Sequence, residues 1–181
     1  MSRLVMKFGG TSVGDVDRIA RVARIVASER QPGRGVAVVV SAMAGETDRL
    51  VKLARGAGGE GNGALGGATF DDEYDVVVSA GEQVTTGLLA LALRRLGLPA
   101  RSWQNWQIPI LTDAAHAKAR ITDIVEADIG ASIDAGVIAI VPGFQGITAE
   151  RRITTLGRGG SDTSAVALAA ALAAERCDIY T

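Results

Sequence analysis

Apolar positions along the chain follow two spacings in turn, and this change of spacing predicts strands that alternate with helices. Apolar residues are almost consecutive at 4–8 and in GVAVVVSA at 35–42, a pattern typical of parallel strands covered on both faces. Between these runs, apolar residues recur at the i, i+3, i+4, i+7 spacing of one helix face. They are Val16, Ile19, Ala20, Ala23, Val26 and Ala27. The chain is therefore predicted to open with a strand, a helix and a second strand.

The rest of the chain continues this alternation. Further helices are predicted at 47–55, 125–135 and 164–174. Further strands are predicted at 100–103, 110–112, 118–121, 137–141, 153–156 and 178–181, with 110–112 and 118–121 paired as a hairpin. Residues 70–96 stay open between strand and helix, because the valines at 76–78 favour a strand. The alternation predicts an α/β fold, a three-layer αβα sandwich around a mainly parallel sheet, with ligands at the carboxyl ends of the strands.

A glycine-rich segment at 56–67 interrupts the pattern. Seven of its twelve residues are glycine, which predicts a flexible surface loop inside a single domain spanning residues 1–181. Within the loop, GNGALG at 61–66 matches the glycine spacing of a dinucleotide-binding fingerprint. We interpret the match as coincidental, since no strand is predicted before it and no helix after it.

Composition narrows the class of protein. The chain has 181 residues and 48% of them are hydrophobic, enough to bury one core. No uncharged apolar run approaches the roughly 18 residues of a membrane span, and Lys7 and Asp15 interrupt any secretory signal. A net charge of −1 offers no electrostatic argument for binding nucleic acid or a membrane surface. Cys177 is the sole cysteine, which excludes an internal disulfide and predicts a small core residue. We expect a cytoplasmic protein without a metal centre of its own.

The segment GRGGSDTS, which begins at Gly157, carries the residues of an anion site. Ser161 and Asp162 are residue types that favour a helix start, where backbone N–H groups without partners attract a carboxylate or a phosphate. Gly160 allows close backbone approach, and the guanidinium of Arg158 suits bidentate contact with an anion. The alternative is a capped core helix that follows an ordinary surface loop.

A second glycine turn follows the first predicted strand. Gly9 and Gly10 lie between a strand end and a helix start, where successive N–H groups can form an anion-binding nest. Lys7 stands at the mouth of this turn, and its ammonium could neutralise phosphoryl oxygens, although the chain has no GxxxxGK[ST] sequence. A lysine at a strand end can also be merely solvated.

Several motifs, in this order and spacing, resemble the aspartokinases of the amino acid kinase family. They are KFGGTSVGD, VVVSAMAGETDRL, VSAGEQV, ILTDAAHAKARI, GFQG and TTLGRGGSDTSAVALAAAL, and they extend over residues 4–181. The KxGG element alone would also admit acetylglutamate, glutamate or uridylate kinases. The SxGE element at 79–82, together with GRGGSDTSA, points to the aspartate enzymes. The resemblance implies the amino acid kinase fold, with one long helix over 70–96 that carries Glu82.

The activity implied by the resemblance is transfer of the γ-phosphoryl group of ATP, supplied with Mg²⁺, to the side-chain carboxylate of L-aspartate. This reaction is the first step toward lysine, threonine and methionine, and its carboxylate nucleophile needs no general base because it is ionised at pH 7. The residues implied to bind phosphate are Lys7, Gly9, Gly10, Ser12, Ser41 and Gly160. Those implied to bind aspartate are Thr47, Glu82, Arg158 and Ser161, with Arg158 on the α-carboxylate and Glu82 on the α-ammonium. Lys7 and Asp162 are the implied catalytic residues, with Asp162 orienting Lys7.

Each of these residues also has a structural alternative. Thr47 could cap a helix, Ser41 could simply end a strand, and Glu82 could be a solvated carboxylate. His116, the sole histidine, is interpreted as a loop residue rather than a substrate contact. Trp103 and Trp106 are expected in the core or in an interface.

The resemblance also predicts how much of a catalytic domain the chain represents. Similar proteins continue with an Asp-x-x-Gly-x-x-Thr-x-Asp-Pro-Arg segment that holds the nucleotide, so the chain is expected to correspond to the N-terminal part of that domain and to be inactive alone. Three functions stay open: aspartate kinase, a non-catalytic fragment that binds aspartate, or another amino acid kinase. The expected partners are L-aspartate and ATP, and the resemblance implies a homo-oligomer.

Overall fold

The computed structural model describes residues 2–58 and 68–181. In chain order, these residues form β1 (Ser2–Phe8), α1 (Val16–Glu29), β2 (Arg34–Val40), α2 (Glu46–Gly58), α3 (Ala68–Val78), α4 (Ala80–Arg95), β3 (Ala100–Ser102), β4 (Ile110–Thr112), β5 (Ile121–Ile124), α5 (Ala127–Asp134), β6 (Ile138–Pro142), β7 (Gln145–Ile147), β8 (Ile153–Thr155), α6 (Gly160–Ala171) and β9 (Arg176–Tyr180). The predicted glycine loop at 56–67 lies outside the described residues except for its first three, which end α2.

The central sheet is parallel and follows the order β3-β6-β2-β1-β9. Two of its three interior strands, β1 and β2, are the consecutive apolar runs, and the residues from Leu4 to Phe8 are all buried. Successive side chains of a strand point to opposite faces. Met6 and Val38 therefore pack in the core shared with α1 and α4, whereas Val5 and Val39 pack in the core shared with α5 and α6. The predicted three-layer αβα sandwich is confirmed.

A second sheet of four short strands, in the order β5-β4-β7-β8, lies beside the first. The predicted hairpin forms between β4 and β5, but β5 begins at Ile121 rather than at residue 118. The reason is a turn at 115–118, where the N–H of Lys118 donates to the carbonyl of Ala115 and Ala117 adopts a φ of +62°. Strand β7 was not predicted, because three residues that include Gly146 give no periodic signal.

The ambiguous segment at 70–96 is helical, and an irregular turn at Ser79 divides it into α3 and α4. Valines 76–78 therefore end a helix, because packing outweighs their strand propensity. By length and composition alone, the helical stretch Asp72–Arg95 is long and apolar enough to cross a membrane. Half of its most apolar segment is nevertheless buried inside the fold. Its buried face includes polar residues, among them Asp75, Ser79 and Glu82.

The remaining single-residue predictions concern the core. Trp103 is buried and Trp106 is about half exposed, so only Trp103 belongs to the core of the chain as described. Cys177 is half-buried and packs against the core beneath α5 and α6.

Candidate functional site

A cleft of about 700 Å³ opens at the carboxyl ends of β1 and β2, between the start of α6 and the start of α2. Parallel strands end together at this edge, so residues that follow different strands meet there. The structure brings nine of the eleven predicted site residues to the cleft wall. They are Lys7, Gly10, Ser41, Thr47, Glu82, Arg158, Gly160, Ser161 and Asp162.

The ammonium of Lys7 stands at the base of the cleft. Lys7 is the penultimate residue of β1 and is only 7% exposed. Its Nζ lies 2.6 Å from Oδ1 of Asp162, in the first turn of α6, and the Asp162 side chain is about half exposed. A buried ammonium needs a partner. The pair joins β1 to the first turn of α6 and holds a positive charge at the cleft wall.

Glu82 contributes a buried carboxylate from the first turn of α4. Its Oε1 accepts a hydrogen bond from the N–H of Ala42 at 3.0 Å, whereas its buried Oε2 has no hydrogen-bond partner within the described residues. Burial raises the pKa of Glu82 to about 7, against the opposing effect of the Ala42 N–H. Glu82 is therefore no solvated carboxylate. Its free oxygen is an acceptor suited to a cation that enters the cleft.

Gly81 explains how α4 comes so near the strand end that carries Ala42. A Cβ at position 81 would lie 2.7 Å from the Cβ of Ala42, closer than any real contact allows. The absence of a side chain at Gly81 thus brings the Glu82 carboxylate within reach of the Ala42 N–H.

We expect Glu82→Gln to stabilise the protein at pH 8.5 by about 3 kcal/mol and to have little effect below pH 4.5. The folded protein holds the Glu82 proton up to about pH 7, whereas an unfolded glutamate loses it near 4.5. Stability contributed by the protonated form is therefore present below pH 4.5 and is lost as the pH rises to about 7. Urea unfolding at both pH values would test this, with Glu150→Gln on the exposed surface as the matched control. An equal effect at both pH values would contradict it.

The GRGG turn places two glycines in the left-handed region, Gly157 at φ +77° and Gly159 at φ +75°. The prediction that Ser161 and Asp162 cap the helix is wrong, because Gly159 occupies the N-cap and no side chain caps it. The carbonyl of Gly159 accepts the N–H groups of Asp162 and Thr163, so helix geometry begins one residue before Ser161. Ser161 and Asp162 therefore lie inside the first turn, on the cleft wall.

Arg158 stands between these two glycines, exposed at the cleft. Across residues 2–58 and 68–181 it forms no salt bridge, so its guanidinium is available to an anion. Gly160 is held tightly, since a Cβ there would lie 2.9 Å from the Cβ of Leu156, and its N–H is engaged with the carbonyl of Gly157 at 3.1 Å. The Ser161 hydroxyl and the Arg158 guanidinium are thus two side-chain donors that this turn offers to the cleft.

The first glycine turn contributes less to the cleft than its sequence suggests. The N–H of Gly9 donates to the carbonyl of Tyr180 at 3.0 Å and so fastens β9 to β1. Ser12 lines a separate depression of about 220 Å³ beside Phe8 and Tyr180. Gly10 does reach the cleft, where a Cβ would lie only 3.0 Å from the carbonyl oxygen of Ala42.

Ser41 and Thr47 lie on the opposite wall. The N–H of Ser41 donates to the carbonyl of Phe8 at 3.1 Å, which carries the β1–β2 pairing up to the cleft. Thr47 is inside the first turn of α2 rather than at its cap, and its side chain faces the cleft. Arg49 pairs with Glu46 on the surface at 2.7 Å.

Several residues of the cleft wall were not predicted from the sequence, among them Arg55, Tyr74, Ala117 and Phe144. Phe144 belongs to the GFQG motif and has a φ of +69°, in the left-handed region. The two glycines of that motif were the signal from which an irregular turn at this position could have been predicted. His116 is absent from the cleft wall, and its Nδ1 lies 2.9 Å from the buried carboxylate of Asp75. Nothing local in the sequence marks that pair.

Comparisons of sequence and of structure with known proteins agree on the protein family that this chain is similar to. The model of the amino acid kinase family matches residues 2–181. The chain is 51% identical over its whole length to the aspartate kinase of Pseudomonas fluorescens and 50% identical to aspartokinase 2 of Bacillus subtilis, and it spans 42% of each. The crystal structure of Escherichia coli aspartokinase III in complex with aspartate and ADP superimposes with a TM-score of 0.83 at 29% identity, over 99% of this chain and 49% of that one. The chain thus spans less than half the length of the curated relatives that it matches.

Proposed function

The chain belongs to the amino acid kinase family over residues 2–181, and from this membership we propose that its cleft serves the ATP-dependent phosphorylation of the side-chain carboxylate of L-aspartate. The observation that carries the proposal is the set of charges in one cleft: an ammonium at Lys7, a guanidinium at Arg158 and a buried carboxylate with a free oxygen at Glu82. Arg158 and Glu82 have the charges that complement the α-carboxylate and the α-ammonium of aspartate, and Lys7 has the charge that complements a phosphoryl group.

The proposed pose follows from this complementarity. The α-carboxylate of aspartate forms an ion pair with the exposed guanidinium of Arg158. The α-ammonium donates a hydrogen bond to the free Oε2 of Glu82. Thr47 and Ser161 line the walls between them and supply hydroxyl groups. The side-chain carboxylate then points toward the phosphoryl group beside Lys7.

The reaction requires alignment and charge neutralisation rather than proton transfer. A side-chain carboxylate oxygen of aspartate forms a bond to the γ-phosphorus of ATP, the bond from that phosphorus to the bridging oxygen breaks, and ADP leaves with the electron pair. The nucleophile is ionised at neutral pH, so no group has to remove a proton. The ammonium of Lys7, held by Asp162, stabilises the charge on the transferred group.

ATP enters this scheme as its Mg²⁺ complex. Magnesium commonly reaches a protein through substrate phosphates and one or two carboxylates. We propose Asp162, half exposed beside Lys7, as the carboxylate for this contact, and Ser41 and Gly10 line the same cleft. The described residues hold no cluster of three or more His, Cys, Asp or Glu side chains suited to a metal. A cytoplasmic location and a homo-oligomeric state accompany the proposal as predictions.

Calorimetry on the purified chain tests the binding half of the proposal. We expect L-aspartate to bind with one site per chain, and D-aspartate and L-asparagine to bind much more weakly. An ADP-release assay on an active form of the protein tests the chemical half. Binding of aspartate without ADP release in any longer form would favour the non-catalytic alternative, and failure to bind aspartate would overturn the proposal.

Aspartate binding should also depend on pH through Glu82. The free cleft holds the Glu82 proton up to about pH 7, whereas the α-ammonium of aspartate favours the ionised carboxylate. Since only the ionised fraction is competent, affinity should be about tenfold weaker at pH 6 than at pH 8, with proton release on binding. Calorimetry at pH 6.5 in two buffers of different ionisation enthalpy measures that proton. Identical binding enthalpies in the two buffers would contradict the contact.

A further inference from the structure

One buried carboxylate lies just outside the cleft and has no part in the proposed chemistry. Asp75, in α3, is 0% exposed. Its Oδ1 accepts from the hydroxyl of Thr155 at 2.5 Å, and the N–H of Ala117 reaches both carboxylate oxygens at 3.1 and 3.2 Å. Nδ1 of His116, in the tautomer that carries its proton there, donates to Oδ2 at 2.9 Å. A carboxylate so deeply buried requires several donors, and these three supply them.

These donors belong to the two chain segments that hold the GRGG turn. Thr155 is the last residue of β8, two residues before Gly157. The carbonyl of Ala117 packs against Gly157 from the other side, 3.4 Å from where a Cβ would stand. The N–H of Ala119 donates to the carbonyl of Thr155 at 2.9 Å, which closes the contact between the two segments. Asp75 therefore fixes both segments at the base of the turn.

The strand that enters the turn needs such a support. Strand β8 has three residues and lies at the edge of its sheet, paired with β7 alone among the described strands. On the opposite side, β8 packs against α3. Arg152, which directly precedes β8, also donates hydrogen bonds to Asp72 and Glu73 of α3. A short edge strand with one neighbour is easily displaced. The contacts that α3 makes through Asp75 support β8 on the side that has no neighbouring strand.

Ala117 gives independent support for a positioning role. Its φ of +62° lies in the left-handed region, which alanine disfavours, and its N–H points at the Asp75 carboxylate. Backbone strain of this kind persists where surrounding contacts hold it, and it is concentrated near functional sites. Here the strained residue itself lines the cleft.

We propose that Asp75 is a positioning residue, which through Thr155 and Ala117 fixes the Gly157–Asp162 turn so that Arg158 is aimed at the anion. The role rests on the proposed function in so far as that anion is aspartate. Asp75 itself is too deeply buried to touch a ligand, and its effect on binding is therefore transmitted through the turn.

The test compares Asp75→Asn with Thr154→Val. Thr154 is the neighbouring residue of β8, equally buried, and its hydroxyl pairs with that of Thr112 at 2.6 Å, away from Asp75. Each variant removes buried hydrogen bonding at the same strand, but only the first loosens the turn. We expect Asp75→Asn to weaken aspartate binding at least about tenfold, since small misplacements of a binding group have effects of that size, and Thr154→Val to leave the affinity of the folded protein unchanged.

Hydrogen exchange by mass spectrometry supplies a readout that does not depend on aspartate. Exchange at 156–162 should be faster in Asp75→Asn than in the wild-type chain, and unchanged in Thr154→Val. His116→Phe, which keeps a ring but loses the Nδ1 contact, should show the same change in weaker form and serves if Asp75→Asn fails to fold. Unchanged exchange and unchanged affinity in Asp75→Asn would overturn the inference. A wild-type chain that does not bind aspartate would overturn the proposed function instead, while the exchange comparison still decides the role of Asp75.

Discussion

Replacement of Lys7 by methionine should lower kcat for aspartate phosphorylation at least about a hundredfold in an active form of the protein, the scale observed when one preorganised electrostatic donor is removed. The ammonium is nearly buried and is aimed into the cleft by its pair with Asp162 at 2.6 Å. Its charge acts most strongly where negative charge develops during transfer. Methionine keeps most of the aliphatic volume, so the β1 core should remain packed.

Initial-rate kinetics together with circular dichroism measure this effect. Lys52→Ala, on the exposed face of α2, is the matched control and should leave kcat unchanged. Aspartate affinity should change much less than kcat in the Lys7 variant, because Lys7 faces the phosphoryl group in the proposed pose. A folded Lys7→Met protein with normal turnover would remove Lys7 from the catalytic residues.

Arg158→Ala should weaken aspartate binding by about 1.5 to 3 kcal/mol, since it removes a charge-assisted bidentate contact with a bound carboxylate. The KM for ATP should change little. Protein stability should hardly change, because Arg158 is exposed and forms no salt bridge within the described residues. The loss is therefore one of recognition rather than of folding.

Arg158→Lys separates charge from geometry. Lysine keeps the positive charge but lacks the planar fork, so it should recover only part of the affinity. Arg24→Ala, on the exposed face of α1, is the control. Calorimetry with aspartate and steady-state kinetics with both substrates measure the effect. Small and equal changes in the KM values for aspartate and ATP would show that Arg158 is an ordinary loop residue without a role in aspartate binding.

The interior of the central sheet could be predicted from the sequence because β1, β2 and β6 are buried on both faces. Consecutive apolar residues in β1 and β2 are a strong local signal, and the helix between them shows clear periodicity. The second sheet gave weaker signals. Its strands have three or four residues each, so β7 was missed and β5 was displaced by a turn that depends on Ala117 in a left-handed conformation.

The candidate site could be predicted where its residues follow strand ends, and the resemblance to aspartokinases supplied their roles. Lys7, Glu82 and Arg158 meet in one cleft as expected, although their functions remain predictions. Two kinds of detail could not be predicted. Backbone partners decide whether an N–H is free, as the Gly9 bond to Tyr180 shows, and the Asp75 cluster joins residues 80 positions apart.

Because Gly81 packs closely on Ala42, the side-chain volume at one of these positions limits the side-chain volume at the other. A side chain at 81 has no room unless position 42 gives up its methyl group, and that exchange would alter the backbone whose N–H holds Glu82. The two residues should therefore vary together or not at all as sequences diverge. The glycine of the SAGEQV motif thus meets a packing requirement, while the glutamate beside it is the residue that we propose to bind the ligand.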